Sequence, residues 1–172
     1  MTTSERPLSL SQSEWLKRLV KDYEGPLLSY ACRIVPREQA REIVQEAYLK
    51  IWKEDSKLLE GREKQWLFSV VRNQAFDILK KAKRDVADDS LLAKQADPGL
   101  RADEKIEETQ KNNQLLERMK RLTKPQEEVI KLKFIDGFGY KEISSITGHS
   151  TSYVGVLIHE AIKILKTEEG QI

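Results

Sequence analysis

The chain has 172 residues, enough for one ordinary domain or two small ones. Charged residues make up 34% and aromatics 7%, with only 8 glycines and 5 prolines. That mix suits a soluble helical protein with modest cores and argues against a disordered chain or a large enzyme. No stretch approaches the length of apolar sequence that membrane insertion needs, and none is expected. Met1 to Ser13 lacks the apolar core of a signal peptide, which argues against export. The lone Cys32 excludes an intramolecular disulfide and fits a reducing, cytoplasmic setting.

Charge is distributed in blocks. Residues 12–84 hold 16 Lys/Arg against 11 Asp/Glu, residues 85–113 hold 4 against 8, and residues 114–172 hold 9 against 8. The net charges of +5, −4 and +1 predict two modules joined by an acidic connector.

In chain order, Ser11 and Ser13 are N-cap candidates for a helix over Gln12 to Tyr23, with Trp15, Leu16, Leu19 and Val20 at helical spacing. Pro26 fits the first turn of a second helix, which Pro36 stops after Val35. A third helix is predicted over 38–53, then a polar stretch over 54–61 and a long helix over 62–84. Residues 85–103, with Asp85, Asp88, Asp89, Asp97, Pro98, Gly99 and Asp103, have no sustained period and read as a linker. A lead-in helix over 104–122 precedes one from Pro125 to Ile135. Asp136-Gly137 is a turn signal. A short helix from Tyr140 to Thr147, a turn at Gly148 and a last helix from Thr151 to Lys166 complete the pattern. No segment alternates apolar and polar residues, so the expected fold class is all-α: two small helical domains and an acidic linker.

Tyr140 to Leu165 describes a helix-turn-helix. In the last helix Leu157, Ile158, Ala161, Ile162, Ile164 and Leu165 fall within about 80° of Val154, a packed stripe. Ser152, Gly155, Val156, His159 and Lys163 lie opposite, on the face that such a motif turns to the major groove. That face is poor in charge: Lys163, Lys166 and His159 can meet phosphate, and Glu160 would repel it. A helix pair used only for packing is the plain alternative.

The long helix carries Lys64, Arg72, Lys80, Lys81, Lys83 and Arg84, with Trp66, Phe68 and Phe76 between them. Aromatics stack on bases of single strands while cations track the backbone; equally, Trp66 and Phe76 could be core. Four cations in residues 80–84 exceed what the helix dipole needs and favour phosphate contact. In the third helix Ile43, Val44, Ala47, Tyr48 and Ile51 form an apolar arc, with Trp52 at its border. Leu49 sits opposite, among Glu42, Gln45, Glu46, Lys50 and Lys53. It reads either as an ordinary exposed leucine or as a small protein-docking patch.

The segment Ile43-Val44-Gln45-Glu46-Ala47-Tyr48-Leu49-Lys50-Ile51-Trp52 resembles region 2 of the extracytoplasmic-function (ECF) group of bacterial sigma factors. Trp66-Leu67-Phe68, Arg72-Asn73, Asp77 and Lys80-Lys81 are similar to the run that follows it in that group. Leu122-Thr123-Lys124-Pro125-Gln126-Glu127-Glu128-Val129 and Gly139-Tyr140-Lys141-Glu142-Ile143 look like its region 4. The resemblance spans Trp15 to Lys166.

The resemblance implies region 2 over 12–84, an acidic linker with lead-in helix over 85–113, and region 4 over 114–168. It implies core RNA polymerase and promoter DNA as partners, with an anti-sigma factor as a further candidate. Glu42, Gln45, Glu46 and Leu49 would face the clamp helices of the polymerase. Arg62, Lys64, Arg72, Asn73, Lys80, Lys81, Lys83 and Arg84 would read and melt a −10-type element, the loop over 57–64 helping to capture a flipped base. Ser152, Tyr153, Gly155, His159 and Lys163 would meet a −35-type element, and the acidic linker would thread the polymerase channels.

The sequence departs from the family pattern in places. Glu42 stands where Asp is frequent, Gly139 where Ser or Thr usually caps the helix, and Gly155, Leu157 and Glu160 where Lys or Arg is common. A sigma-like adaptor that binds a protein and reads no DNA is therefore the alternative function. No catalytic residue, metal or cofactor is expected: His149 and His159 lie ten apart with no carboxylate motif or metal spacing around them.

Overall fold

The computed structural model describes residues 10–88 and 106–167, with side chains over 12–86 and 111–167. All regular elements among these residues are α-helices. The chain divides into two compact units, Met1–Pro98 and Gly99–Ile172.

The first unit is built on α1 (Leu10–Cys32), α2 (Arg37–Trp52), α3 (Ser56–Leu59) and α4 (Glu63–Asp88). Helices α1, α2 and α4 pack pairwise into a three-helix bundle. Leu19, Leu27, Tyr30 and Ala31 from α1 meet Ile43, Val44, Ala47 and Ile51 from α2 and Leu67, Phe68 and Val71 from α4, all buried. Tyr30 and Phe68 lie ring to ring, centroids 5.1 Å apart. Fully buried Ala40, Ala47 and Ala75 let the backbones approach closely.

The two helices expected before Pro36 are one. Pro26 lies inside α1 rather than in a first turn. Proline removes a hydrogen bond and crowds the carbonyl four residues back. Gly25 and Pro26 are exposed, so water can serve the freed carbonyl. Burial of Leu19 on one side of the proline and Leu27, Tyr30 and Ala31 on the other holds the helix together. Helix α3 was hidden inside the stretch predicted as polar. It is a single turn capped by Asp55, whose carboxylate accepts from the Lys57 N–H at 2.9 Å. The long helix continues to Asp88, so the first residues of the predicted linker are helical. The rest of that linker, 89–103, and the first two residues of the predicted lead-in helix lie outside the described residues.

The second unit holds α5 (Ile106–Met119), α6 (Lys124–Phe134), α7 (Tyr140–Thr147) and α8 (Thr151–Lys166). Helix α8 is its centre and packs against the other three. Val154, Leu157, Ile158 and Ala161 are its buried stripe; Ile162, Ile164 and Leu165 are half-buried. Arg118 at the end of α5 donates from Nη1 to the Leu165 carbonyl at 3.1 Å. The two turns predicted from glycine are present: Gly137 and Gly148 have φ of 79° and 78°, the left-handed region that costs glycine least.

Candidate nucleic-acid and partner interfaces

Helix α2 has two unlike faces. Ala40, Ile43, Val44, Ala47 and Ile51 are buried, which leaves Glu42, Gln45, Glu46 and Leu49 exposed together. Leu49 is 66% exposed. It is not isolated: with Leu16, Val20, Tyr48 and Trp52 it lines a groove of about 510 Å³ between α1 and α2, edged by Glu24 and Gln45. Sequence reasoning found Leu49 but missed this groove. Its signal was Leu16 and Val20 on one helix and Tyr48 and Trp52 on another, each pair four apart.

The Tyr48 hydroxyl donates to the Leu19 carbonyl at 3.3 Å at this seam. Burial, then the nearby Glu24 charge and Tyr23, push the phenol above its ordinary range. Glu46 pairs with Lys50 at 3.4 Å on the exposed side, a contact that water screens heavily.

The cations of the α4 region fall into two groups. Those near its start are anchored locally. Arg62 donates from Nη2 to the Leu58 carbonyl at 2.7 Å. Lys64 Nζ lies 5.9 Å from the Phe68 ring centre, and the Arg72 guanidinium 4.5 Å from that of Phe76. Asn73, Lys80, Lys81, Lys83 and Arg84 are all exposed. Of the interleaved aromatics, Phe68 is core, whereas Trp66 and Phe76 are half-buried and keep some ring surface accessible.

In the second unit α7 and α8 form the expected helix-turn-helix, with Gly148 closing the first helix. Ser150 caps α8, its Oγ accepting from the Tyr153 N–H at 3.1 Å. His149 and Tyr153 meet edge to face at 5.1 Å. Ser152, Tyr153, Val156, His159 and Lys163 are exposed on one side of α8. Gly155 is half-buried, and a Cβ there would sit 3.7 Å from Tyr140 Cε2 of α7, an ordinary van der Waals contact. The other side of that ring region is served by Lys133, whose Nζ lies 5.3 Å from the ring centre.

Glu160 is tied to the protein. Its Oε2 accepts from Gln126 Nε2 at 3.3 Å. The same Gln126 closes a capping box at the start of α6, accepting from the Thr123 N–H at 3.0 Å while Thr123 Oγ1 accepts from the Gln126 N–H. Helix α7 has Gly139 as N-cap and no capping side chain there. Glu142 compensates in part, its Oε2 accepting from the Gly139 N–H at 2.7 Å.

Among the described residues no group of three or more His, Cys, Asp or Glu is placed to hold a metal ion. No described helix is long and apolar enough to cross a membrane.

The family model for sigma-70 region 2 matches residues 19–85, across the bundle of α1, α2 and α4. The model for sigma-70 region 4 matches residues 112–165, which include α6, α7 and nearly all of α8. No curated protein matches the chain by sequence. Among solved structures, the fold is similar to that of the sigma factor RpoE from Bartonella quintana, determined in complex with the anti-sigma factor NepR. The TM-score is 0.70 at 20% identity, over 90% of this chain and 96% of that one. With both regions present in this order across most of its length, in an architecture typical of ECF sigma factors, the chain belongs to the sigma-70 family of sigma factors, non-enzymatic proteins that act in promoter recognition at transcription initiation.

Proposed function

We propose that this chain binds core RNA polymerase through the exposed side of α2 and directs it to promoters, with region 2 over 12–84 and region 4 over 114–168. One observation supports the docking assignment above the rest. Leu49 stands exposed at the rim of an apolar groove that Gln45 edges, with Glu42 and Glu46 also exposed on α2. Apolar surface of this kind, bordered by polar groups, is what a helical partner covers with gain. Arg62, Lys64, Arg72, Asn73 and the exposed cations Lys80, Lys81, Lys83 and Arg84 act on the −10-type element. Residues 57–64 help to hold a flipped base there.

In region 4, Ser152, Tyr153, His159 and Lys163 meet the −35-type duplex. Gly155 lowers the bulk on that face and permits close backbone approach. With so few cations on α8, reading there leans on the helix N-terminus and on DNA shape more than on arginine contacts. The factor works in the cytoplasm, where polymerase is, and an anti-sigma protein is a further partner, as the RpoE of similar fold was determined in complex with one.

Pull-down of core polymerase from a bacterium by the full chain, followed by run-off transcription, tests the reading. The expected result is a stable complex and a discrete transcript that core alone does not make. Failure to bind core at low salt under reducing conditions would overturn it. The charge-poor outer face of α8 favours the adaptor reading, and holoenzyme protection of a duplex upstream of the start site would remove that support.

A further inference from the structure

The chain between α2 and α4 has little to hold it in place from within. Helix α3 buries no residue. Leu58 is 69% exposed, and Gly61 takes a left-handed φ of 78°. Its internal bonds are short-range: Asp55 caps α3, and Arg62 bonds the Leu58 carbonyl. None of these fixes the loop relative to the bundle.

What fixes it is the beginning of α1, some forty residues earlier. Gln12 donates from Nε2 to the Trp52 carbonyl at 2.9 Å and to the Glu54 carbonyl at 3.4 Å. Trp52 closes α2, where carbonyls lack helical partners, and Glu54 lies two residues beyond it. At the other end of the loop, Glu63 opens α4 and is 8% exposed. Its Oε1 accepts from Trp15 Nε1 at 3.4 Å and lies 3.7 Å from Arg18 Nη2. A carboxylate so placed also suits the positive end of the α4 dipole. One face of α1 thus grips both ends of a loop whose residues 53–62 are exposed or half-buried, none fully buried.

We propose that Gln12, Trp15 and Arg18 are positioning residues for base capture, setting the height and angle at which the loop over 53–62 meets an opened promoter strand. The role rests on the promoter-reading function given above. None of the three touches DNA; they act through Trp52, Glu54 and Glu63. Changes at the start of α1 then alter base preference while leaving polymerase docking untouched.

Two measurements on the full chain test this. The first is amide hydrogen exchange on the free protein. Gln12→Ala and Glu63→Ala should each raise exchange across 53–62 by about threefold to tenfold, the range that losing one ordinary hydrogen bond gives, with the cores of α1, α2 and α4 unchanged. Glu63→Gln keeps an acceptor for Trp15 and should retain most of the protection.

The second uses holoenzyme and forked duplexes whose unpaired non-template strand is randomised. Wild-type holoenzyme should enrich particular bases. Gln12→Ala and Glu63→Ala should flatten that enrichment several-fold at equal affinity for core, and Glu63→Gln should restore it. Unchanged exchange, or unchanged enrichment despite faster exchange, overturns the positioning role alone. Core binding without any enrichment by the wild type overturns the base-reading function, and the positioning role with it.

Discussion

Gln126 and Glu160 meet side chain to side chain, Nε2 donating to Oε2 at 3.3 Å, while the other end of the same amide accepts from the Thr123 N–H. One glutamine therefore serves the start of α6 and the flank of α8 at once. A carboxylate on the recognition helix, which by charge alone would only repel phosphate, has a structural occupation here. Its hydrogen bond and its charge can be separated by substitution.

Glu160→Gln keeps an acceptor for Gln126 and removes the charge. Region 4 should unfold in urea at an unchanged midpoint. Glu160→Ala strips the partner from an amide that is nearly buried, and should cost about 0.5–1.5 kcal/mol. Both variants should bind promoter duplex somewhat more tightly at low salt, since both lose a negative charge near phosphate. A Gln variant as unstable as the Ala variant would mean that the charge, not the hydrogen bond, holds α8 to α6.

The uncapped start of α7 offers a gain. Gly139 has extended backbone, φ −79° and ψ 169°, that any residue can adopt. A Cβ there would meet only Glu142 Oε2, at an ordinary 3.6 Å. Gly139→Ser supplies a capping hydroxyl and removes freedom from the unfolded chain. Together these should stabilise the second unit by roughly 0.5–1 kcal/mol, read as a higher urea midpoint with unchanged slope.

Much of this architecture was legible from spacing. The α8 stripe, the glycine turns and the boundaries of α2, α6, α7 and α8 follow from local pattern, because each is set by residues close in sequence. The errors came where distant residues decide. Pro26 looked like a helix start, yet burial of Leu19, Leu27, Tyr30 and Ala31 against two other helices carries α1 through it. Leu49 was visible as an exposed apolar residue, but the groove beside it needs Leu16 and Val20 from α1. No period in α2 could have announced it.

Tyr48 gives that groove a signature in pH. Its phenol is held protonated above the ordinary range by burial and by Glu24 and Tyr23. In the unfolded chain it ionises near its usual pKa of about 10. Above that pH the unfolded state binds fewer protons than the folded one, so stability falls as pH rises; below it, the contribution is fully present. Urea midpoints should therefore decline between pH 9 and 11 more steeply for the wild type than for Tyr48→Phe. Parallel declines would show that the folded phenol ionises as freely as the unfolded one.

The residues proposed for docking and for strand opening lie on different helices of region 2, so substitution should separate the two steps. Glu46 and Leu49 sit on the exposed side of α2. Glu46→Lys reverses a charge on the same exposed side as Leu49, and Leu49→Asp puts a charge where an apolar contact is expected. Neither removes a buried group, so helicity and thermal unfolding should hold while affinity for core polymerase drops about tenfold or more. Lys80 and Lys81 lie exposed near the end of α4, away from any buried contact. Lys80→Glu with Lys81→Glu should leave core affinity close to wild type. Open-complex formation, followed by permanganate reactivity of unpaired thymines, should fall several-fold, and the deficit should shrink as salt rises and screens the phosphates. Loss of core binding by the lysine pair at equal magnitude would signal misfolding, and retention of core binding by both α2 variants would remove that face from the polymerase interface.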